Sequence, residues 1–168
     1  MEENQQRRQV ACIVNISELI NGRYIKEEGW KPNYVLTDSK LKVSRVNLMG
    51  AIVQTPEENS NFLEVTLDDG TARISVRDFE SSEILKGINI GEVILVIGKP
   101  REFNSIKYII PEIVKKIENK RWIDYRKLQL KLFDKTKPKT SKETEKKESE
   151  EEPITEADRV VSDEKKKK

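Results

Sequence analysis

From Phe62 to Phe79 two alternations of apolar and polar residues face one another across Asp69-Gly70, a dipeptide suited to a two-residue hairpin turn with positive φ. Folding about that pair sets Leu67 opposite Ala72, Val65 opposite Ile74 and Leu63 opposite Val76, which makes one core face. The other face carries Phe62 with Arg77, Glu64 with Ser75 and Thr66 with Arg73. A three-residue loop would set Val65 against Arg73 and turn every side chain of one strand to the wrong face, so the even-parity pairing is expected.

The same patterning extends to either side. Lys42 to Gln54 reads as a long first strand, with Val46, Leu48, Gly50 and Ile52 on one face and Arg45, Asn47, Met49, Ala51 and Val53 on the other. Gly50 within it predicts a bulge or sharp bend, the device a strand needs if it is to pair in both halves of a small barrel. Thr55 to Asn61 is a polar loop. After the hairpin, Ser81 to Gly87 predicts a short helix or a turn or two, with Ser81 or Ser82 as N-cap and Gly87 as stop. Val93 to Ile97 is apolar on both faces and forms a fourth strand, Gly98 to Ser105 a basic turn region, and Ile106 to Val114 a fifth strand. Five strands with a helix between the third and fourth is the order of an OB-fold barrel. An SH3-like barrel also has five strands but normally lacks that helix. The fold class predicted is all-β: a five-stranded OB-fold barrel with a C-terminal α-helix and a disordered tail.

Ahead of the barrel, Ile16, Leu19 and Ile20 recur at helical spacing until Asn21-Gly22 stops them, predicting one or two helical turns. Tyr24, Trp30 and Tyr34 then follow within eleven positions. They either cover one end of the sheet or offer surfaces on which bases stack. Behind the barrel, residues 117–133 predict a helix whose Ile117, Trp122, Ile123, Tyr125, Leu128, Leu130, Leu132 and Phe133 spread around most of its circumference. A helix docked on one barrel needs a single apolar stripe. The excess points to oligomerisation through Trp122, Tyr125, Leu128, Leu132 and Phe133, or to a groove in its own domain. Residues 134–168 are dominated by Lys, Glu, Ser and Thr and cannot bury enough surface to fold. They read as a solvated tail, although Ile154, Ala157 and Val161 have the spacing of a short helix on a partner. The division expected is a lead-in at 1–37, an OB-fold domain at 38–117, an oligomerisation helix at 118–133 and a charged tail at 134–168.

Composition changes this picture in two places. The chain of 168 residues has no His and one Cys, Cys12, which excludes disulfides within the chain, Cys/His zinc sites and Ser-His or Cys-His nucleophile pairs. No metal and no cofactor is expected. Asp68 and Asp69 sit in a tight turn where Asp is favoured for backbone reasons, and no enzyme is expected. With no apolar run of membrane length and no secretory signal, the cytoplasm is the expected location. The charge is uneven: residues 99–133 hold 10 Lys and Arg against 4 Asp and Glu, although the net charge of the whole chain is +2. A basic region of that kind attracts polyanions; a solvated helix face beside a strand would look the same.

A resemblance sharpens the expectation. Gly29-Trp30-Lys31-Pro32-Asn33-Tyr34-Val35-Leu36-Thr37, a first strand bending near Gly50, the hairpin with its Asp-Asp-Gly-Thr turn, and Gly91-Glu92-Val93-Ile94-Leu95-Val96-Ile97-Gly98-Lys99 together resemble archaeal replication protein A subunits. The likeness covers about residues 12–133 and is nearest to the middle, single-OB subunit of the heterotrimer. It implies assembly with other OB-fold subunits through the helix after the barrel, and coating of single-stranded DNA in replication and repair. The charged tail departs from the winged-helix domain that middle subunits often carry.

An OB barrel presents its second and third strands, with the loops after the first and fourth, as the ligand face. On that basis the candidate nucleic-acid-binding residues are Arg45, Arg73, Arg77, Lys99, Arg101, Phe103 and Lys107. A competing reading is a structural subunit that positions a stronger DNA-binding partner and touches little DNA itself.

Overall fold

The computed structural model describes residues 9–55, 62–80 and 83–136, with side chains described through Phe133. Residues 1–8 of the polar start expected at 1–9, most of the polar loop after Thr55, the N-cap candidates Ser81 and Ser82, and the charged tail from 137 onward lie outside the described residues. In chain order the elements are β1 (Cys12–Ile13), α1 (Ile16–Asn21), β2 (Arg23–Ile25), β3 (Tyr34–Leu36), β4 (Lys42–Val43), β5 (Val46–Gln54), β6 (Leu63–Asp68), β7 (Arg73–Asp78), β8 (Val93–Phe103), β9 (Ile106–Lys116) and α2 (Arg121–Thr136).

Strands β5 to β9 form the barrel. Their spatial order is β5-β6-β7-β9-β8, and β8 returns to β5 to close the ring. The β7–β9 pair is parallel and the other pairs of the ring are antiparallel. This is the five-stranded OB fold. Closure falls to β5, whose Val46 to Ala51 pair with β8 while Ala51 to Gln54 pair with β6. At the changeover the β6 backbone comes so near that a Cβ on Gly50 would stand 2.5 Å from the Asp68 carbonyl oxygen. The bend expected at Gly50 is therefore a site of close approach, and the bulge itself falls two residues later, between Ile52 and Gln54.

The core fills the ring from within. Val46, Leu48, Ile52, Val65, Leu67, Val76, Ile94, Val96 and Ile109 are essentially fully buried, each contributing about 1.5–3 kcal/mol by leaving water. Leu85 and Ile88, from the segment after β7, join them. That segment forms turns over Ile84–Gly87, with Glu83 at φ 60, and no regular helix among its described residues.

Residues ahead of the barrel are built into it. Val14, Ile16, Leu19, Val35 and Val43 belong to the same core, and β1 adds to β5 in parallel. β2, β3 and β4 form a second, three-stranded antiparallel sheet. The single strand expected from Lys42 onward is thus two: Lys42–Val43 pairs with β3, the chain bends at Ser44-Arg45, and β5 begins at Val46.

The hairpin keeps the expected parity but in another register. Leu67 stands opposite Ile74, Val65 opposite Val76 and Leu63 opposite Asp78, a shift of two residues that leaves each side chain on its expected face. The cause is the loop, which takes four residues, 69–72, in place of two. One carboxylate oxygen of Asp69 accepts from the Thr71 and Ala72 backbone N–H groups at 2.9 and 3.3 Å and from the Thr71 hydroxyl at 2.6 Å. Its other oxygen accepts from the Ile16 N–H at 2.8 Å, and Thr71 Oγ1 accepts from the Ser17 N–H at 3.2 Å. The hairpin loop thereby satisfies the donors that open α1, groups that have no partner inside a helix.

Two more boundaries move. β8 runs straight through Gly98-Lys99-Pro100 to Phe103, and the turn is only Asn104-Ser105, both at positive φ (49° and 63°), as a type I′ hairpin requires. Pro100 is tolerated because its stretch of β8 pairs with β9 alone, past the last residue bonded to β5. α2 begins at Arg121 rather than 117 and ends at Thr136. Among the described residues no helix is long and apolar enough to cross a membrane.

Replacing Asp69 by Ala removes hydrogen bonds of an ionised carboxylate that tie two distant segments; bonds of that type are each worth about 1.5–3 kcal/mol. The expected loss for Asp69→Ala is about 2 kcal/mol or more of unfolding free energy, read from urea denaturation, with Asp69→Asn losing less.

Candidate nucleic-acid interface

Pairing register decides which side chains share the outside of the barrel. Val65, Leu67, Ile74, Val76 and Ile109 point inward, so their neighbours along each strand point out. Directly opposed residues lie on the same face, and the register joins Thr66 to Ser75, Ser75 to Tyr108 and Tyr108 to Arg101 in one row across four strands. Beside it lie Glu64 with Arg77, Asp68 with Arg73, Lys99 with Ile110, and Phe103 with Ile106. Five of the seven candidate residues, Arg73, Arg77, Lys99, Arg101 and Phe103, therefore share the outward surface of β6, β7, β9 and β8.

The remaining two sit apart from that row. Lys107 is opposite Glu102 on the alternate parity; its Nζ donates to the Ile20 carbonyl at 2.9 Å and lies 3.6 Å from Glu102. Arg45 precedes β5 and donates to Glu112 and to the Gln9 carbonyl.

The face also carries an aromatic group that the sequence did not single out. The Phe62 and Phe79 ring centroids are 5.1 Å apart, and Phe79 meets Tyr108 edge-on at 6.0 Å. The Arg77 guanidinium lies 4.8 Å from the Tyr108 ring centre and 5.8 Å from that of Phe62, within cation–π range. Phe79 and Phe103 are 49% and 66% exposed, leaving ring faces open to a flat ligand. The expected pairing of Phe62 with Arg77 is replaced by Glu64 with Arg77, and Phe62 meets the guanidinium from the diagonal position; Tyr108 was not legible, because only the parallel β7–β9 pairing brings it there. Trp30 is 94% exposed on the β2–β3 connection, so it covers nothing, whereas Tyr24 packs against the core.

Carboxylates are interleaved with the cations. Arg73 Nε is 2.8 Å from Asp68, Arg77 Nε 3.2 Å from Glu64 and Lys99 Nζ 3.3 Å from Glu112, which also holds Arg45. Hydrogen bonding from Arg73 and from the Gly70 N–H holds the Asp68 carboxyl below its ordinary pKa. For Glu112 partial burial pushes the pKa up, and the bonds from Arg45 and Lys99 outweigh it, leaving the group below the ordinary value. With Asp68 and Asp69 both engaged and no grouping of metal-ligating side chains among the described residues, the face offers planar rings and guanidinium groups.

α2 rests on the barrel through a polar fork. Arg126, 8% exposed, donates to the Asn47 carbonyl at 2.8 Å and to Asn47 Oδ1 at 2.7 Å. Burial draws its pKa down, with the neighbouring Tyr125 acting the other way. Ile123 and Leu130 lie on the same side of the helix and are partly buried. Trp122, Tyr125, Leu128, Leu132 and Phe133 remain 48–63% exposed, forming an apolar stripe around the next third of the circumference, with Trp122 and Tyr125 in edge contact at 5.8 Å.

Comparison with solved structures places the barrel. A replication protein A heterotrimer bound to ssDNA contains a chain that matches 73% of this one over 95% of its own length, with a TM-score of 0.59 and 12% identity. Yeast RPA bound to ssDNA matches 76% of this chain and 93% of its own, at TM-score 0.59 and 18% identity. The fold is that of these OB-fold subunits. The S. pombe Stn1-Ten1 complex matches over 58% of this chain and 75% of its own, with TM-score 0.53 and 16% identity. In sequence, an uncharacterized protein of Methanocaldococcus jannaschii is 30% identical over 129 residues, 76% of this chain. The chain spans about half the length of that curated relative, 49%. No family model matches the chain.

The depressed Glu112 pKa has a consequence for stability. A carboxyl whose pKa is lower folded than unfolded contributes stability that is complete above the unfolded value, about 4.3 for Glu, and lost as pH falls through the folded value. Thermal melts from about pH 6 to about pH 3 are expected to show a shallower acid decline for Glu112→Gln than for the native chain.

Proposed function

We propose that this chain is a single-stranded DNA-binding subunit of an archaeal replication protein A-like heterotrimer, equivalent to its middle single-OB subunit and acting in DNA replication and repair in the cytoplasm. The observation that carries the reading is the outward cluster of Phe62, Phe79 and Tyr108 around Arg77: Phe62, Arg77 and Phe79 come from the ends of β6 and β7, the pair of strands an OB barrel turns to oligonucleotides, and Tyr108 from the neighbouring β9. Unpaired bases stack on aromatic rings and on guanidinium planes, and Phe103 at the β8–β9 turn extends the platform along the strand. The cations Arg73, Arg77, Lys99 and Arg101 flank it, with Arg45 and Lys107 at its margins. The resemblance to replication protein A along residues 12–133 supports the same assignment.

α2 is the assembly element in this reading. Its stripe of Trp122, Tyr125, Leu128, Leu132 and Phe133 faces away from the barrel, and the partners are the helices of other OB-fold subunits in the complex. A structural subunit that contacts little DNA is the competing reading, and the carboxylates set among the face cations favour it.

Fluorescence anisotropy with an oligothymidine separates the two. Because stacking is worth about 1–3 kcal/mol per base, Tyr108→Ala with Phe103→Ala is expected to weaken binding about tenfold or more. Affinity unchanged by the pair sinks the site and leaves the scaffold reading. For assembly, Leu128→Asp with Leu132→Asp is expected to release the companion subunits in co-purification while circular dichroism of the barrel stays native; retained companions would move the interface elsewhere.

A further inference from the structure

The ion pairs of the candidate cations follow a pattern. Among the described residues, every cation the sequence nominated for phosphate contact stands beside a carboxylate, with one exception: Arg45 and Lys99 share Glu112, Arg73 has Asp68, Arg77 has Glu64 and Lys107 has Glu102. Arg101 is the exception, donating only to the Pro100 carbonyl at 3.1 Å. It lies in the row next to Tyr108.

Two physical effects follow. A phosphate approaching from a Debye length away, about 8–10 Å in ordinary salt, meets dipoles rather than net positive charges, so long-range attraction is weak. If a phosphate then displaces one of the carboxylates, the counterion it sheds is matched by a cation taken up by the freed carboxylate. The usual gain from counterion release is cancelled at each paired site. It survives at Arg101. The rings of Phe79, Tyr108 and Phe103 carry no such compensation, and duplex DNA keeps its bases stacked out of their reach.

We infer that Glu64, Asp68 and Glu112 are specificity-determining residues: by neutralising Arg77, Arg73, Lys99 and Arg45 they suppress binding to phosphate backbones in general and leave a face that selects nucleic acid by its unpaired bases. The inference rests on the proposed single-stranded DNA-binding role. It makes the chain a stacking reader with roughly one phosphate contact, and it turns acidic residues that look adverse to DNA binding into the source of discrimination between single strands and duplex.

The test uses the full chain, an oligothymidine and a mixed-sequence duplex of equal length, each titrated by fluorescence anisotropy across a salt series. For single strands each neutralised phosphate contributes about −0.7 to the slope of log K against log salt. The native chain is expected near −1; a slope of about −3 or steeper overturns the inference. Glu64→Gln/Asp68→Asn/Glu112→Gln, which keeps side-chain size and most hydrogen-bond geometry, is expected to bind duplex at least about tenfold more tightly than the native chain and to steepen the single-strand slope by about −0.7 for each cation released. Duplex affinity of this variant within twofold of native overturns the inference. Glu64→Gln and Glu112→Gln singly give the same direction at smaller size should the triple variant be unstable, and Glu83→Gln, from the Lys86 pair outside the strands, controls for net charge. Absence of oligothymidine binding by the native chain is a separate result: it removes the proposed DNA-binding role, while the duplex arm still decides whether the carboxylates mask the cations.

Discussion

Ring closure through a single strand is the constraint on which this molecule rests. β5 spends its first six residues on β8 and its last four on β6, and no other strand can serve both sheet halves. The turn from one partner to the other needs the backbone of Gly50 against the carbonyl of Asp68 and an extra residue at Val53 to increase the twist. Once that strand is bent, the inner faces of the barrel converge on one core. The outer faces of β6, β7, β9 and β8 become a continuous surface. The aromatic cluster is a product of closure, since Tyr108 reaches Phe79 and Arg77 only through the parallel pairing of β7 with β9.

Much of the barrel was legible because burial on one side imposes a period of two. Parity along Phe62–Phe79 placed Val65, Leu67, Ile74 and Val76 inside, as observed. Register was beyond reach, because the carboxylate that lengthens the loop also bonds to Ile16, 53 residues away. Gly98-Lys99-Pro100 carried a local turn signal that pairing with β9 overrides. The three-stranded sheet of β2, β3 and β4 has strands of two or three residues, too short to show any alternation. Of the candidate site, the outward placement of Arg73 and Arg77 could be read from the alternation. The carboxylates beside Lys99 and Arg45, the parity of Lys107 and the meeting of Phe62, Phe79 and Tyr108 arise from tertiary neighbours.

α2 shows how a polar contact can set the use of an apolar helix. A helix with hydrophobic residues around most of its girth has several ways to lie on a barrel. The guanidinium of Arg126 reaches one backbone carbonyl and one side-chain oxygen of Asn47, and a buried charge is costly wherever those bonds are missing. That fork selects one rotation of the helix. The more hydrophobic side is left outward by the same choice.

The tie between α1 and the far side of the chain has a kinetic meaning. Ile16, Ser17 and Ile20 find their partners in Asp69, Thr71 and Lys107, at separations of 53, 54 and 87 residues. These three ties cannot form until residues 69, 71 and 107 are in place, although β2 and β3 can already pair with each other. Contacts of such long range slow folding, and here they tie the seating of α1 to the prior closure of the β6–β7 hairpin loop.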